Sequence, residues 1–130
     1  MASTERPVVH RGEIWIVALD PVIGSEQAKT RPCVVVQREA ANRTSPTTIV
    51  VPLTGAAGRM RNVVAPLLRA GEGGLRKDSI ALCHQVRNVD RLRCKKKSGV
   101  ASQQSMRAIA EGLMHILDLG DDLPDAFKRV

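Results

Sequence analysis

Apolar and β-branched residues come in short runs along most of this chain, each bounded by glycine, proline or polar clusters. Residues 14–19 (IWIVAL), 32–37 (PCVVVQ) and 47–54 (TTIVVPLT) read as strands of this kind. The second is apolar on both faces, which predicts a central strand. Pro52 carries no amide donor, so it is expected at a strand edge or bulge. The polar stretch 38–46 predicts a connection with a short helical turn, and residues 63–68 a short strand. Residues 78–89 (DSIALCHQVRNV) predict one long strand, on whose alternation His84 and Gln85 point to opposite faces. A basic strand follows around 92–97. Only near the C-terminus does the period change. Met106, Ile109, Ala110, Leu113, Met114 and Leu117 recur at helical spacing, with Ser102 as the expected N-cap and Gly120 as the expected stop. The pattern therefore predicts a mainly β fold, five to six short strands closing into a small barrel, with one C-terminal helix. It forms a single domain over residues 1–130, with flexible tails at 1–8 and 121–130.

Composition narrows the function. The chain has 130 residues, with 43% hydrophobic and 25% charged, the values of an ordinary globular protein. No apolar run is long enough to span a bilayer and no secretory stretch opens the chain, so a cytoplasmic protein without a membrane partner is expected. The three cysteines lack paired metal-ligand spacing and are expected as reduced packing residues. Twenty Lys and Arg against thirteen Asp and Glu leave a net charge of +7, which favours a polyanionic partner. With one Trp, one Phe and no Tyr, the chain lacks the aromatic platforms that hold single strands by stacking. RNA would have to be held through phosphates and base edges.

No glycine-rich phosphate loop, no H-E-x-x-H motif and no carboxylate cluster is present, so neither a cofactor nor a metal is expected. His10, His84 and His115 form no evident acid–base pair. What remains is a loop and two strand ends: GSEQAKTRP at 24–32 and SPTTIVVPLT at 45–54. On residue type alone, Arg31 reads as a surface ion pair at a strand start and Thr54 as a strand end.

These segments resemble the MazF/PemK toxins of bacterial toxin–antitoxin systems. RGEIW from Arg11, LDP from Leu19, GSEQ from Gly24, KTRP from Lys29, NR from Asn42, SPT from Ser45 and QVR from Gln85 occur in the family's order and spacing, covering about residues 8–119. The resemblance implies an SH3-like barrel of the CcdB/MazF type, a homodimer, and a sequence-selective endoribonuclease acting on single-stranded RNA. It also implies a catalytic pair at Arg31 and Thr54. Chemistry agrees with that assignment: a fixed guanidinium meets charge developing on a phosphorane, and a hydroxyl orients the phosphate for in-line attack. Glu26, the nearest carboxylate in sequence, is the expected proton-transfer group. Ser25, Gln27 and Lys29 are expected at base edges or phosphate, and Gln85 and Arg87 as RNA-contacting residues. Arg59, Arg61, Arg91 and Lys95 to Lys97 are expected as general phosphate grip or solvated face, none with a specific base. The partner implied is an acidic MazE-like antitoxin lying across the RNA groove. The alternative is a non-enzymatic toxin of the same fold that binds DNA gyrase, as CcdB does.

Overall fold

The structure is a computed structural model that describes residues 5–26 and 29–127. Its elements, in chain order, are β1 (Glu13–Ala18), β2 (Thr30–Val35), α1 (Glu39–Thr44), β3 (Thr47–Gly55), β4 (Leu67–Leu68), β5 (Ser79–Ala81), β6 (Arg87–Asp90), β7 (Cys94–Val100) and α2 (Gln103–Ile116). Seven strands thus replace the expected five to six, the helical turn after β2 is present as α1, and the strand expected at 63–68 shrinks to two residues. All pairings are antiparallel, in the order β4-β5-β3-β2-β1-β7, and the sheet curls into a half-barrel. Of the expected tails, residues 1–4 and 128–130 lie outside the described residues. Arg6 pairs with Asp90 at 2.9 Å, and the Pro7 carbonyl accepts from Arg91 Nη1 at 2.6 Å.

β3 is the axis of the sheet. β2 pairs with its middle, from Val35↔Val50 to Cys33↔Pro52. On its other edge β6 pairs with Thr47 to Val50, and β5 takes over from Leu53 to Gly55. Pro52 therefore lies inside the central strand rather than at an edge. The position tolerates it because a missing amide hydrogen falls where one neighbour stops and the next begins. Its carbonyl still accepts from Leu82 at 2.9 Å. The expected long strand over 78–89 is broken at the same place. A three-residue 3₁₀ turn, Cys83–Gln85, separates β5 from β6 and absorbs the change in register.

Alternation along the central strands buries both faces of the sheet. One face carries Ile14, Val34, Val51 and Leu53 and is covered by Met106 and Ile109 of α2. The other carries Trp15, Val17, Cys33, Val35, Val50 and Val89, with Val9 and Leu19 from the flanking segments. Beside Trp15, Glu13 is buried yet fully engaged: Trp15 Nε1 and the His10 amide donate to Oε1, and Lys97 Nζ lies 2.9 Å from Oε2. Burial pushes its pKa up, but those donors outweigh it and the carboxyl sits below its ordinary value.

α2 starts as expected, with Ser102 Oγ accepting from the Ser105 amide at 3.0 Å. Its end is not at Gly120. Asp118 takes the left-handed position at φ 53°, its amide donates to the His115 carbonyl, and the Leu119 amide reaches back to Met114. This is the Schellman closure, which a short polar residue supports in place of glycine. Gly112 allows close docking, because a Cβ there would meet Cys83 Sγ at 2.6 Å and the Val63 carbonyl at 2.8 Å. The apolar stripe divides: Met106 and Ile109 are buried, Leu113 packs partly against the core, and Met114 and Leu117 stay exposed.

Candidate active site

The pleat gathers the first group of site residues. Arg31 precedes Cys33 by two residues, Pro52 and Thr54 follow Val50, and Arg87 precedes Val89, so all four side chains emerge on the Cys33–Val50–Val89 face. The β2–β3 pairing ends at Cys33↔Pro52. Arg31 and Thr54 each lie two residues beyond that last pair, on their own strands. Arg31 is half-buried and Thr54 is 8% exposed, so both stand at the rim of the second core. Burial pushes the Cys33 thiol above its ordinary range while Arg87 and Arg31 pull it back, so both guanidinium groups act on one sulfur.

A loop overhangs this rim and is tied down at its base. The Leu19 amide donates to the Lys29 carbonyl at 2.8 Å, and the Lys29 amide to Asp20 Oδ1 at 2.9 Å. Arg93 Nη1 donates to the Ala18 carbonyl at 3.0 Å and also to the Asp20 carbonyl. Arg87 Nη1 donates to the Leu19 carbonyl at 3.2 Å, which links the loop to β6. Within the loop Glu26 is held by its own turn: its Oε1 accepts from the Ile23 amide at 2.7 Å.

Glu26, Pro52, His84, Gln85, Val86 and Arg87 line a cavity of about 180 Å³. Three expected site residues, Glu26, Gln85 and Arg87, thus meet in one place, and Pro52 connects it to Thr54 along the same strand face. Ser25 and Lys29 are exposed on the loop outside this cavity, and Gln27 lies outside the described residues. Contrary to the expected alternation, His84 and Gln85 do not face opposite sides. The turn replaces period-two geometry, both side chains line the cavity, and His84 Nε2 lies 3.4 Å from Gln85 Nε2. The missing amide of Pro52 was the signal in the sequence that a straight strand could not pass here.

On the other side of the same strands Ile16, Pro32, Arg76, Lys77, Lys96 and Lys97 border a second cavity of about 420 Å³. Lys97 is engaged by Glu13, so within the run 95–97 it serves the fold as well as the basic surface. Among the described residues no group of three or more His, Cys, Asp or Glu could hold a metal ion, and no helix is long and apolar enough to cross a membrane.

Comparison with known proteins identifies the family and the fold. The family model for the PemK-like, MazF-like toxin of type II toxin–antitoxin systems matches residues 10–117. An endoribonuclease MazF of Staphylococcus saprophyticus is 33% identical over 102 residues, 78% of this chain and 85% of that protein. Among solved structures, MazF from Deinococcus radiodurans superposes with a TM-score of 0.74 at 22% identity, covering 86% of this chain and 98% of that one. A mycobacterial endoribonuclease in complex with its cognate antitoxin superposes with a TM-score of 0.70 at 16% identity, covering 85% and 96%. These neighbours have the fold expected from the sequence, the small barrel with a C-terminal helix.

Proposed function

The chain belongs to the PemK-like, MazF-like toxin family of type II toxin–antitoxin systems, and from that premise we propose that it is an endoribonuclease toxin that cuts single-stranded RNA by 2′-hydroxyl attack without a metal. The observation that carries this reading is the collection of Arg31, Thr54 and Arg87 on one strand face beside the Glu26 cavity. Arg31 meets the charge that develops on the phosphorane, and Thr54 orients the phosphate. Arg87, braced by the Leu19 carbonyl, adds fixed positive charge beside the cavity. Glu26 takes the proton of the 2′-hydroxyl. The O2′–P bond forms, the P–O5′ bond breaks, and the products are a 2′,3′-cyclic phosphate and a 5′-hydroxyl. Gln85 offers an amide to a base edge, and Ser25, Gln27 and Lys29 are further RNA contacts. Endoribonuclease relatives favour this activity over the gyrase-binding alternative.

The chain works as a homodimer in the cytoplasm, and an acidic MazE-like antitoxin neutralises it. Its net charge of +7 supports an acidic partner. Solved neighbours in complex with antitoxins support the same reading.

The test is an RNA oligonucleotide incubated in excess EDTA, with and without one 2′-deoxy residue immediately 5′ of the cut. The all-ribose strand is expected to be cut to cyclic-phosphate ends identified by mass, and the deoxy strand to be bound but left whole. Loss of cutting in EDTA, or cutting of the deoxy strand, rejects the mechanism.

A further inference from the structure

Departure of a 5′-alkoxide needs a proton, and the groups assigned so far do not supply one. Arg31 and Arg87 keep their charge throughout, Thr54 carries a neutral hydroxyl, and Gln85 an amide. Glu26 is occupied with taking the proton from the attacking hydroxyl. The cavity contains one more side chain able to exchange protons. His84 stands in the turn Cys83–Gln85, exposed, on the wall shared with Gln85 and Arg87, with Glu26 contributed by the loop. Imidazole is the side chain that both holds and releases a proton near neutrality. The position follows from the fold: the break between β5 and β6, opposite Pro52, turns His84 outward beside Gln85, whose amide nitrogen lies 3.4 Å from the ring.

We infer that His84 is the general acid of the reaction, the group that protonates the departing 5′-oxygen. The inference rests on the endoribonuclease reading above and completes its proton balance. As the O2′–P bond forms, Glu26 receives the 2′-hydroxyl proton. As the P–O5′ bond breaks, the His84 imidazolium gives its proton to O5′. Glu26 is left protonated and His84 neutral, and exchange with water restores both. In-line displacement requires the entering and leaving oxygens on opposite sides of phosphorus, so acid and base must come from separate positions. Glu26 comes from the loop and His84 from the turn, so the two are supplied to the cavity by different segments. Among the described residues that line the cavity with His84, the charged groups are the Glu26 carboxylate and the Arg87 guanidinium.

The full-length protein and its His84→Ala variant are compared on two RNA oligonucleotides. One is the natural strand; the other carries sulfur in place of the bridging 5′-oxygen at the cut, a leaving group that departs without a proton. On the natural strand His84→Ala is expected to lose about 10²-fold or more in kcat, the usual contribution of a positioned acid. On the sulfur strand it is expected to match the unaltered protein, which also shows that the variant folds and binds. An equal loss on both strands, or no loss on either, overturns the inference. If the unaltered protein cuts neither strand, the endoribonuclease reading itself fails, and the inference with it.

Discussion

The two faces of the sheet are closed by different means. Over Ile14, Val34 and Val51 lies a helix that docks through Met106, Ile109 and a glycine, contacts that are apolar and tight. Over Cys33, Val35 and Val50 the cover is a loop and short segments pinned by polar links: Arg87 to Leu19, Arg93 to Ala18 and Asp20, Arg6 to Asp90, and Glu39 to the segment before β1. The first face carries one of the two large apolar cores. The second leaves a charged rim, and its closure depends on ions and backbone carbonyls. The helix clamp and the proposed chemistry therefore sit on opposite sides of the same three strands.

The contrast is open to direct attack. Ile109→Ala removes a fully buried side chain under α2 and is expected to cost about 2–5 kcal/mol of unfolding free energy, read from urea melts. Specific cutting by the fraction that remains folded is expected to be unchanged. A small stability loss would mean that the helix is not the principal clamp.

Arg31→Ala strikes the other face. It is expected to slow cutting by at least about 10²-fold, as removal of one oxyanion donor does, with a urea midpoint close to that of the unaltered protein. Thr54→Val is expected to lose less activity, because an orienting hydrogen bond is removed and the charge stays. Turnover unchanged in Arg31→Ala would remove this rim from the mechanism.

The smallest effect is electrostatic. Glu39 accepts from the Arg11 amide at 3.0 Å and from Asn42 at 3.2 Å, and His10 Nδ1 lies 2.6 Å from it. These contacts, the backbone donor first, lower its carboxyl from 4.5 to about 2. A lowered carboxylate contributes stability above its unfolded value, and that contribution fades as pH falls from about 4.5 towards 2. Because the side chain is exposed, Glu39→Gln is expected to cost under about 1 kcal/mol at neutral pH. The difference from the unaltered protein should vanish near pH 2. A gap between the two urea midpoints that widened in acid would reverse the sign of this account.

Much of the fold was legible because its signals are local. The β-branched runs became β1, β2 and β3, and the helical stripe with Ser102 became α2. Where the reading failed, a tertiary condition had replaced the local one. The segment 78–89 has a strand's composition, yet its partner strand carries Pro52, and the chain had to turn to keep both halves of β3 paired. Gly120 is the better residue for a helix stop by itself, but the stripe ends earlier and Asp118 accepted the strained position. Arg31 and Thr54 came from resemblance, since no spacing within the chain distinguishes them from other rim residues. His84 was set apart from Gln85 by the expected alternation, whereas the turn sets them side by side.

The three cysteines have a use that follows from where they lie. Cys83 sits in the core beneath α2, Cys33 and Cys94 in the core beneath the loop, and all three are free thiols. Burial pushes Cys83 and Cys94 up to about 11 and Cys33 higher still, so little thiolate exists in the closed protein at neutral pH. Oxidants and alkylating reagents must then wait for the structure to open before they find a nucleophile. The chain thus carries its own pair of chemical clocks: modification of Cys83 times the lifting of the helix, and modification of Cys33 or Cys94 times the lifting of the loop.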